Sequence, residues 1–224
     1  VRSRGLGDVY KRQLLLLFLI PLISCTEDWT GEKEVTFLQD RNGIRYEVNS
    51  DVGFTGKYVE YYENGQKRIE EHLKLGKRNG LKTEWNINGQ KQIESNFIDG
   101  KKEGLKTKWH ENGQKASEMN WKNGNFEGLQ TDWYKNGQKE SEANFIDDKR
   151  EGLLTVWYEN GQKKIESNYK NGKQDGLTTA WHENGQKLSE VNFKNDKRDG
   201  LKTIWDKEGN IIETETYKDG KLVK

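Results

Sequence analysis

The chain has 224 residues, of which 31% are hydrophobic and 33% are charged, a proportion too lean for a thick two-layer core. Its 8 Trp, 9 Tyr and 7 Phe are spread along the chain, which argues against disorder. The formal net charge is only +1 and the charges are interspersed, so the sequence predicts no basic surface and no nucleic-acid partner.

The first 24 residues predict an export signal. Lys11 and Arg12 precede an apolar run from Leu14 to Ser24, which is too short for a bilayer-spanning helix of about 20 residues. That length fits the apolar region of a secretory signal peptide. Residues 1–13 begin with Val rather than Met and resemble translated adapter or upstream sequence, so we expect them to be non-native.

Cys25 is a candidate lipidation site. The run ends on Leu22, Ile23, Ser24 and Cys25, which resembles the lipobox of bacterial lipoproteins and implies acylation of the cysteine. The alternative is that Cys25 is a small residue beside an ordinary cleavage site. As the only cysteine it has no intramolecular disulfide partner. Thr26 follows it instead of Asp, which resembles lipoproteins sent to the outer membrane, so we expect a lipid-anchored protein of the bacterial cell envelope.

Residues 25–53 are predicted to hold the lipidated cysteine, a linker and a divergent N-terminal repeat that caps the fold. The stretch "DRNGIRYEV" at 40–48 has a turn followed by a strand pattern. Its Asn-Gly pair lies 22 residues before the next one, whereas the later pairs are 24 apart. The terminal "YKDGKLVK" at 217–224 is the expected cap of the other end.

Residues 54–224 contain about seven tandem repeats with a period of 24 residues. The period is marked by an aromatic series and a glycine series, which we expect to be structural. The aromatic series is Tyr61, Trp85, Trp109, Trp133, Trp157, Trp181 and Trp205, and the glycine series is Gly80, Gly104, Gly128, Gly152, Gly176 and Gly200.

Each repeat predicts a β-hairpin. In one repeat Leu81, Thr83 and Trp85 alternate with charged residues, and after an Asn-Gly turn the positions 93, 95 and 97 hold Ile, Ser and Phe. We expect both alternating sets on one apolar face. A three-residue loop, with a type I turn over Ile87 and Asn88 and a left-handed Gly89, would achieve this by setting Thr83 opposite Ile93.

The return turn between hairpins has its own signature, a position that accepts only Gly or Asp. Such a position is expected to need a positive φ, which Asp tolerates better than most non-glycine residues. The series is Gly76, Gly100, Gly124, Asp148, Gly172, Asp196 and Gly220.

These motifs resemble the MORN repeat, and specifically the bacterial variant type of the YwqK-like antitoxin group. The segments that carry the resemblance are "YYENGQK" at 61–67, "WYKNGQK" at 133–139, "WYENGQK" at 157–163 and "GKKEGL" at 100–105. The resemblance implies an all-β fold, an elongated single-layer antiparallel sheet of tandem 24-residue hairpins.

The sequence offers no constellation for catalysis, so we predict no enzyme, no cofactor and no metal. His110 and His182 share one repeat phase with Tyr and Asn and are interpreted as loop-edge residues. A repeating Glu (70, 94, 118, 142, 166 and 190) could suggest cation binding. Successive copies would lie two strands apart, roughly 9.6 Å, so we interpret them as a solvated polar face.

One apolar interruption of the polar pattern suggests a partner site. Leu154, Val156, Ala180 and Ile204 occupy phases that are mostly charged or polar in the earlier repeats. We hypothesise that they form a docking patch, and the alternative is drift on a tolerant surface.

The leading functional hypothesis is therefore a lipid-anchored, non-catalytic binding or scaffold surface for a protein partner, with self-association left open. The first alternative is an antitoxin that masks a toxin, which an export signal disfavours for a cytoplasmic target. The second is membrane-surface binding through the repeat sheet, which a near-neutral chain does not favour.

Overall fold

The computed structural model describes residues 32–223, so the predicted signal segment and Cys25 lie outside the described residues. All regular structure in this range is β-strand, and no helix of residues 32–223 is long and apolar enough to cross a membrane. The strands are β1 (Glu34–Val35), β2 (Gln39–Arg41), β3 (Ile44–Tyr46), β4 (Gly56–Tyr61), β5 (Lys67–Lys74), β6 (Lys77–Trp85), β7 (Lys91–Ile98), β8 (Lys101–Trp109), β9 (Lys115–Lys122), β10 (Asn125–Trp133), β11 (Lys139–Ile146), β12 (Lys149–Arg150), β13 (Gly152–Trp157), β14 (Lys163–Lys170), β15 (Lys173–Trp181), β16 (Lys187–Lys194), β17 (Lys197–Trp205), β18 (Ile211–Lys218) and β19 (Lys221–Leu222).

The strands from β4 to β19 pair with their chain neighbours in one long antiparallel sheet. Strand β1 adds to it in parallel beside β4, which makes 17 strands, and β2 and β3 form a separate two-stranded sheet. Seven hairpins follow one another, and the predicted all-β fold of tandem hairpins is confirmed.

The Asn-Gly loop has the predicted three-residue form. In the second hairpin the amide of Gly89 donates to the carbonyl of Asn86, that of Asn86 donates to the carbonyl of Gln90, and Gly89 has a φ of 79°. These bonds close a type I turn followed by a left-handed glycine.

The predicted register was wrong, because a second irregularity follows the loop. Trp85 pairs with Lys91 but Glu84 pairs with Ile93, so Gln92 is an extra residue on β7. This bulge shifts the strand by one residue and sets Thr83 opposite Glu94 instead of Ile93.

The register gives the sheet two faces that differ from the expected apolar and polar sides. One face, here the threonine face, holds Leu81 and Thr83 together with Glu94 and Asn96. The opposite face, here the aromatic face, combines Lys82 and Glu84 with Ile93, Ser95 and Phe97. The expectation that both apolar sets share one face was therefore wrong. Since a single-layer sheet has no second layer to cover either side, each face carries its own large apolar series.

The return turns and the repeat glycines both depend on left-handed backbone. Each return turn has two residues, such as Asp99 with φ 48° and Gly100 with φ 82°, and the predicted Gly or Asp position has positive φ in all seven. The glycine series lies inside the strands, with φ between 75° and 122°. At Gly104 the register shifts between Ser95 and Phe97, so the glycine lies in a bulge of β8.

The N-terminal part of the described chain packs against the aromatic face. The Arg45 side chain forms an ion pair with the buried Glu71 and lies over the Tyr58 ring, 5.3 Å from its centroid. Its amide donates to the carbonyl of Gly76. Residues of the β2–β3 segment thus rest on the aromatic face of β4–β6, where Glu71 and Leu73 are buried.

Candidate interaction surface

A row of alternating Thr and Glu crosses the threonine face. Thr83 pairs with Glu70 on one side and Glu94 on the other, and the pattern continues through the later hairpins. The threonines at 83, 107, 131, 155, 179 and 203 are buried. Every glutamate of the row is bonded to the lysine three residues before it: Lys67–Glu70, Lys91–Glu94, Lys115–Glu118, Lys139–Glu142, Lys163–Glu166 and Lys187–Glu190.

The same lysines lie over the tryptophans of the next hairpin. Lys91 Nζ is 5.8 Å from the centroid of Trp109, and the other lysines are 5.7 to 6.0 Å from theirs. Each lysine therefore joins the carboxylate of its own hairpin to the indole of the next by a charge and a cation–π contact. Trp85, Trp109, Trp133, Trp157, Trp181 and Trp205 are all half-buried, whereas Tyr61, at the start of the series, is exposed.

The residue after the tryptophan forms a hydrogen bond to the following hairpin. Tyr134 Oη donates to the carbonyl of Trp157 at 2.7 Å, and Tyr62 and Tyr158 donate in the same way. His110 Nε2 lies 2.7 Å from the carbonyl of Trp133 and His182 Nε2 lies 3.3 Å from that of Trp205. These histidines therefore have structural partners, and the loop position that the sequence suggested for them links adjacent repeats.

The Asn-Gly loops are also linked to one another. The side-chain amide of Asn136 donates to the carbonyl of Glu159 in the next loop at 2.9 Å, and Asn64, Asn112, Asn160 and Asn184 repeat the bond. The polar groups that recur with the period thus bond to other repeats. The polar groups of the threonine face and of the loop edge are therefore explained by their contribution to the stability of the repeat fold.

The aromatic face carries its largest side chains opposite the repeat glycines. Gly80 pairs with Phe97, Gly128 with Phe145, and the series is completed by Trp121, Tyr169, Phe193 and Tyr217. Cations lie beside several of these rings, such as Arg150 at 5.6 Å from the centroid of Tyr169. A Cβ at these glycines would not meet the rings, since Gly104 and Gly152 face open space, so the glycines are explained by their positive φ.

The four residues of the hypothetical docking patch lie together on the aromatic face. Val156 pairs with Ile165, and Ile165 pairs with Ala180. Ser189 pairs with both Ala180 and Ile204 and so connects them. The next row starts at Leu154 and runs through Ser167 and Thr178 to Val191. We call Leu154, Val156, Ile165, Ala180, Val191 and Ile204 the neutral patch.

The neutral patch has charged borders. Before it, the same two rows carry Lys106, Lys108 and Asp132. After it they carry Lys202, whose Nζ lies 2.7 Å from Glu215. Between these borders the rows hold aliphatic and hydroxyl side chains only. Ile165 and Val191 were missed in the sequence, because their membership depends on the register that the bulge at position 92 and its equivalents set.

Residues 32–223 contain no group of three or more His, Cys, Asp or Glu side chains arranged to hold a metal ion. The buried carboxylate of Glu71, which lines a cavity beside the N-terminal segment, is bonded to Arg45 and Arg78. The glutamates of the threonine face are bonded to lysines.

Comparison with known proteins identifies the chain as a repeat protein of the MORN class. The MORN repeat variant family matches residues 54–74, 102–123, 126–147, 150–171, 174–195 and 198–219, which together make up more than half of the chain. The protein therefore belongs to the MORN repeat variant family, whose repeats serve in binding or as a scaffold and are not generally catalytic. No protein of curated function matches the chain.

The second hairpin, β6–β7, lies outside the matched segments. Its loop reads "WNINGQK". Asn86 occupies a position that holds Tyr or His in the other hairpins, except the last, which has Asp206. Asn86 Oδ1 accepts the amides of Asn88 and Gln90 in its own loop, whereas Tyr134 reaches the next hairpin. The hairpin is thus a repeat by structure, and among the described residues its loop lacks two bonds to the next hairpin, the one made by Tyr134 and the one made by Asn136 in the fourth hairpin.

Proposed function

We propose that the protein is a lipid-anchored, non-catalytic binding protein of the bacterial cell envelope. It binds its partner through the neutral patch on the aromatic face. The observation that carries this proposal is the uncharged row from Val156 to Ile204, bordered by charges on both sides. An apolar centre with a charged rim is the composition of protein–protein interfaces. The occupant we propose is another protein, with aliphatic or aromatic side chains at the centre of its contact.

The N-terminal segment of the same chain already packs against the aromatic face. Arg45 contacts Glu71 and Tyr58 of the first hairpins, and Ile44 approaches Gly76. The chain thus already packs a strand pair against the aromatic face at β4–β6. At the later hairpins the neutral patch offers the same face without the acidic group that Arg45 neutralises.

The test is a double substitution, Leu154→Lys with Val156→Lys. These changes copy Lys106 and Lys108 of the third hairpin, so the repeat fold accepts them. The matched control is Leu153→Lys, which makes the same chemical change one residue away on the threonine face, where Leu153 is 48% exposed. Cross-linking in intact cells followed by pull-down compares these two variants with wild type.

We expect one specific partner to be cross-linked by wild type and by Leu153→Lys and to be lost from the double variant, with unchanged circular dichroism. Equal capture of the partner by both variants would refute the proposal that the neutral patch binds it. If the partner is a second copy, sedimentation should show an oligomer that only the double variant disrupts. A toxin as the partner would support the antitoxin alternative suggested by the YwqK-like resemblance.

The proposed anchor is tested separately, because Cys25 lies outside the described residues. Lipoproteins carry more than one acyl chain, and each buried CH₂ contributes about 0.8 kcal/mol to membrane binding. The Cys25→Ser protein should therefore leave the membrane fraction in cell fractionation while wild type remains. Retention of the Cys25→Ser form would argue against acylation as the anchor.

A further inference from the structure

Six of the seven hairpin loops contain an Asn-Gly pair at the same repeat position. The asparagines of these pairs are Asn64, Asn88, Asn112, Asn136, Asn160 and Asn184. All six are exposed, and the amide of each following glycine donates to a carbonyl of its own loop, as Gly89 does to Asn86 at 2.9 Å. The other Asn-Gly pairs, at 42, 79, 123 and 171, lie in return turns, in the β2–β3 turn or within a strand. The six loops therefore place the same pair in one backbone geometry.

Five of the six loop asparagines are held at both atoms of the side-chain amide. Asn136 Oδ1 accepts the amide of Gln138 at 2.9 Å, and Asn136 Nδ2 donates to the carbonyl of Glu159 in the next loop at 2.9 Å. The same two bonds are made by Asn64, Asn112, Asn160 and Asn184. Two hydrogen bonds thus fix the orientation of each of these side chains.

Asn88 makes neither of these bonds. The Gln90 amide donates to Asn86 Oδ1 at 3.0 Å instead, and Asn86 Nδ2 donates to Gln90 Oε1 at 3.2 Å. No hydrogen bond joins the side chain of Asn88 to any described residue. Because Asn86 replaces the Tyr or His of other loops and offers a nearby acceptor, it has taken the amide that would hold Asn88.

An asparagine that precedes glycine can lose its side-chain nitrogen without an enzyme. The backbone nitrogen of the glycine attacks the side-chain carbonyl carbon, and a C–N bond forms while the bond to the side-chain nitrogen breaks. That nitrogen leaves as ammonia with the proton of the glycine amide, and the product is a cyclic imide. Water then adds to either carbonyl of the imide, which opens it to aspartate or isoaspartate. Glycine has no side chain to shield its nitrogen from this reaction.

The attack requires the asparagine side chain to rotate onto the nitrogen of the next residue. Hydrogen bonds that hold the side chain in another orientation must break first, so they slow the reaction. We propose that Asn88 is a modification site, which deamidates spontaneously to aspartate or isoaspartate while the five bonded loop asparagines are protected. This site is independent of the neutral patch and of the binding function proposed above.

Peptide mapping by mass spectrometry tests the proposal. The purified protein is incubated in mildly alkaline buffer, and peptides that span each loop are followed for conversion of the side-chain amide to a carboxylate and for isoaspartate. We expect Asn88 to react about fivefold faster or more than any of the five bonded loop asparagines, the factor that one net hydrogen bond contributes. Equal rates at Asn88 and Asn136, or a faster reaction at any bonded loop asparagine, would overturn the proposal.

A reciprocal exchange tests the cause of the difference. Asn86→Tyr copies Tyr134, so the Gln90 amide should return to Asn88 Oδ1 and the reaction at Asn88 should slow to the rate of the other loops. Tyr134→Asn copies Asn86 and should accelerate the reaction at Asn136. If either rate is unchanged in protein with wild-type circular dichroism, Asn86 is not the cause and the assignment fails.

Tyr158→Phe is the matched control for the exchange. It removes the bond from Tyr158 Oη to the carbonyl of Trp181 but supplies no acceptor that could capture the Gln162 amide. Asn160 should therefore keep its slow rate in this variant. Acceleration at Asn160 as large as that at Asn136 in Tyr134→Asn would show that a loosened junction, and not a released side chain, governs the reaction, which would contradict the proposal.

Discussion

Removing one hydroxyl should weaken one junction between repeats. Tyr134 Oη donates to the carbonyl of Trp157 at 2.7 Å, across neighbouring hairpins. Burial raises the pKa of Tyr134, and the charges of Glu140 and Glu159 raise it further, so the phenol is a protonated donor at neutral pH. Tyr134→Phe keeps the ring and deletes the donor. A hydrogen bond of this kind contributes about 1 kcal/mol net, which is about a fivefold change in a local opening equilibrium.

Hydrogen exchange followed by mass spectrometry is the assay, because a repeat array need not unfold in a single two-state step. We expect faster exchange in peptides around residues 134 and 157 and unchanged exchange in the first hairpin. Tyr134→His should retain much of the protection, since His110 makes the same contact at this phase.

The control is Tyr169→Phe on the aromatic face. The hydroxyl of Tyr169 makes no hydrogen bond to the described residues, and Phe145 and Phe193 occupy the same repeat phase. If Tyr134→Phe changes exchange no more than Tyr169→Phe does, the bond to Trp157 does not hold the hairpins together and the reasoning fails.

Substitutions at three further positions, Gly113, Gly185 and Asp148, test the backbone of the turns by urea titration. Gly113→Ala should lower the free energy of unfolding by about 1 kcal/mol, because alanine is strained at the left-handed φ of 83°. No atom lies within 4 Å of the added Cβ, so backbone strain is the whole cost. Gly185→Ala should lower the midpoint by a similar amount, since its Cβ would meet only Gln162 Oε1, at 2.8 Å, which is the end of a flexible exposed side chain. A clearly larger loss at Gly185 would show that Gln162 is held in place. Asp148→Ala should cost about 1 to 2 kcal/mol, because Asp148 has φ 63° and its Oδ1 accepts the Phe126 amide at 2.7 Å. Asp148→Asn keeps an acceptor and tolerates that φ, so a similar loss there would contradict the assignment.

Local chemistry made the turns predictable. The left-handed Gly89 after a type I turn follows from the Asn-Gly pair, and the choice of Gly or Asp at positions such as 148 follows from the positive φ of the return turn. These features depend on a few adjacent residues, so a single repeat contains all the information. The 24-residue period then multiplies it along the chain.

The faces were not predictable by the same means. One extra residue, Gln92, sits between the loop and the strand and moves Ile93 and Phe97 to the side opposite Leu81 and Thr83. Sequence alternation specifies which residues of one strand share a side, but it does not fix how two strands are shifted against each other. The candidate site depended on that shift. Leu154 and Val156 were recognisable as exceptions, while their neighbours Ile165 and Val191 were not.

By itself, then, the sequence determined the unit: a hairpin of fixed length, with left-handed turns, repeated about seven times. The tertiary structure decided which side chains from different repeats meet. Cross-strand neighbours such as Lys106 and Met119, or Ala180 and Ile165, are separated by a turn and are brought together only by the bulges that set the register. The neutral patch arises in this way, because side chains that are distant along the chain are sorted onto one face when the strands pair.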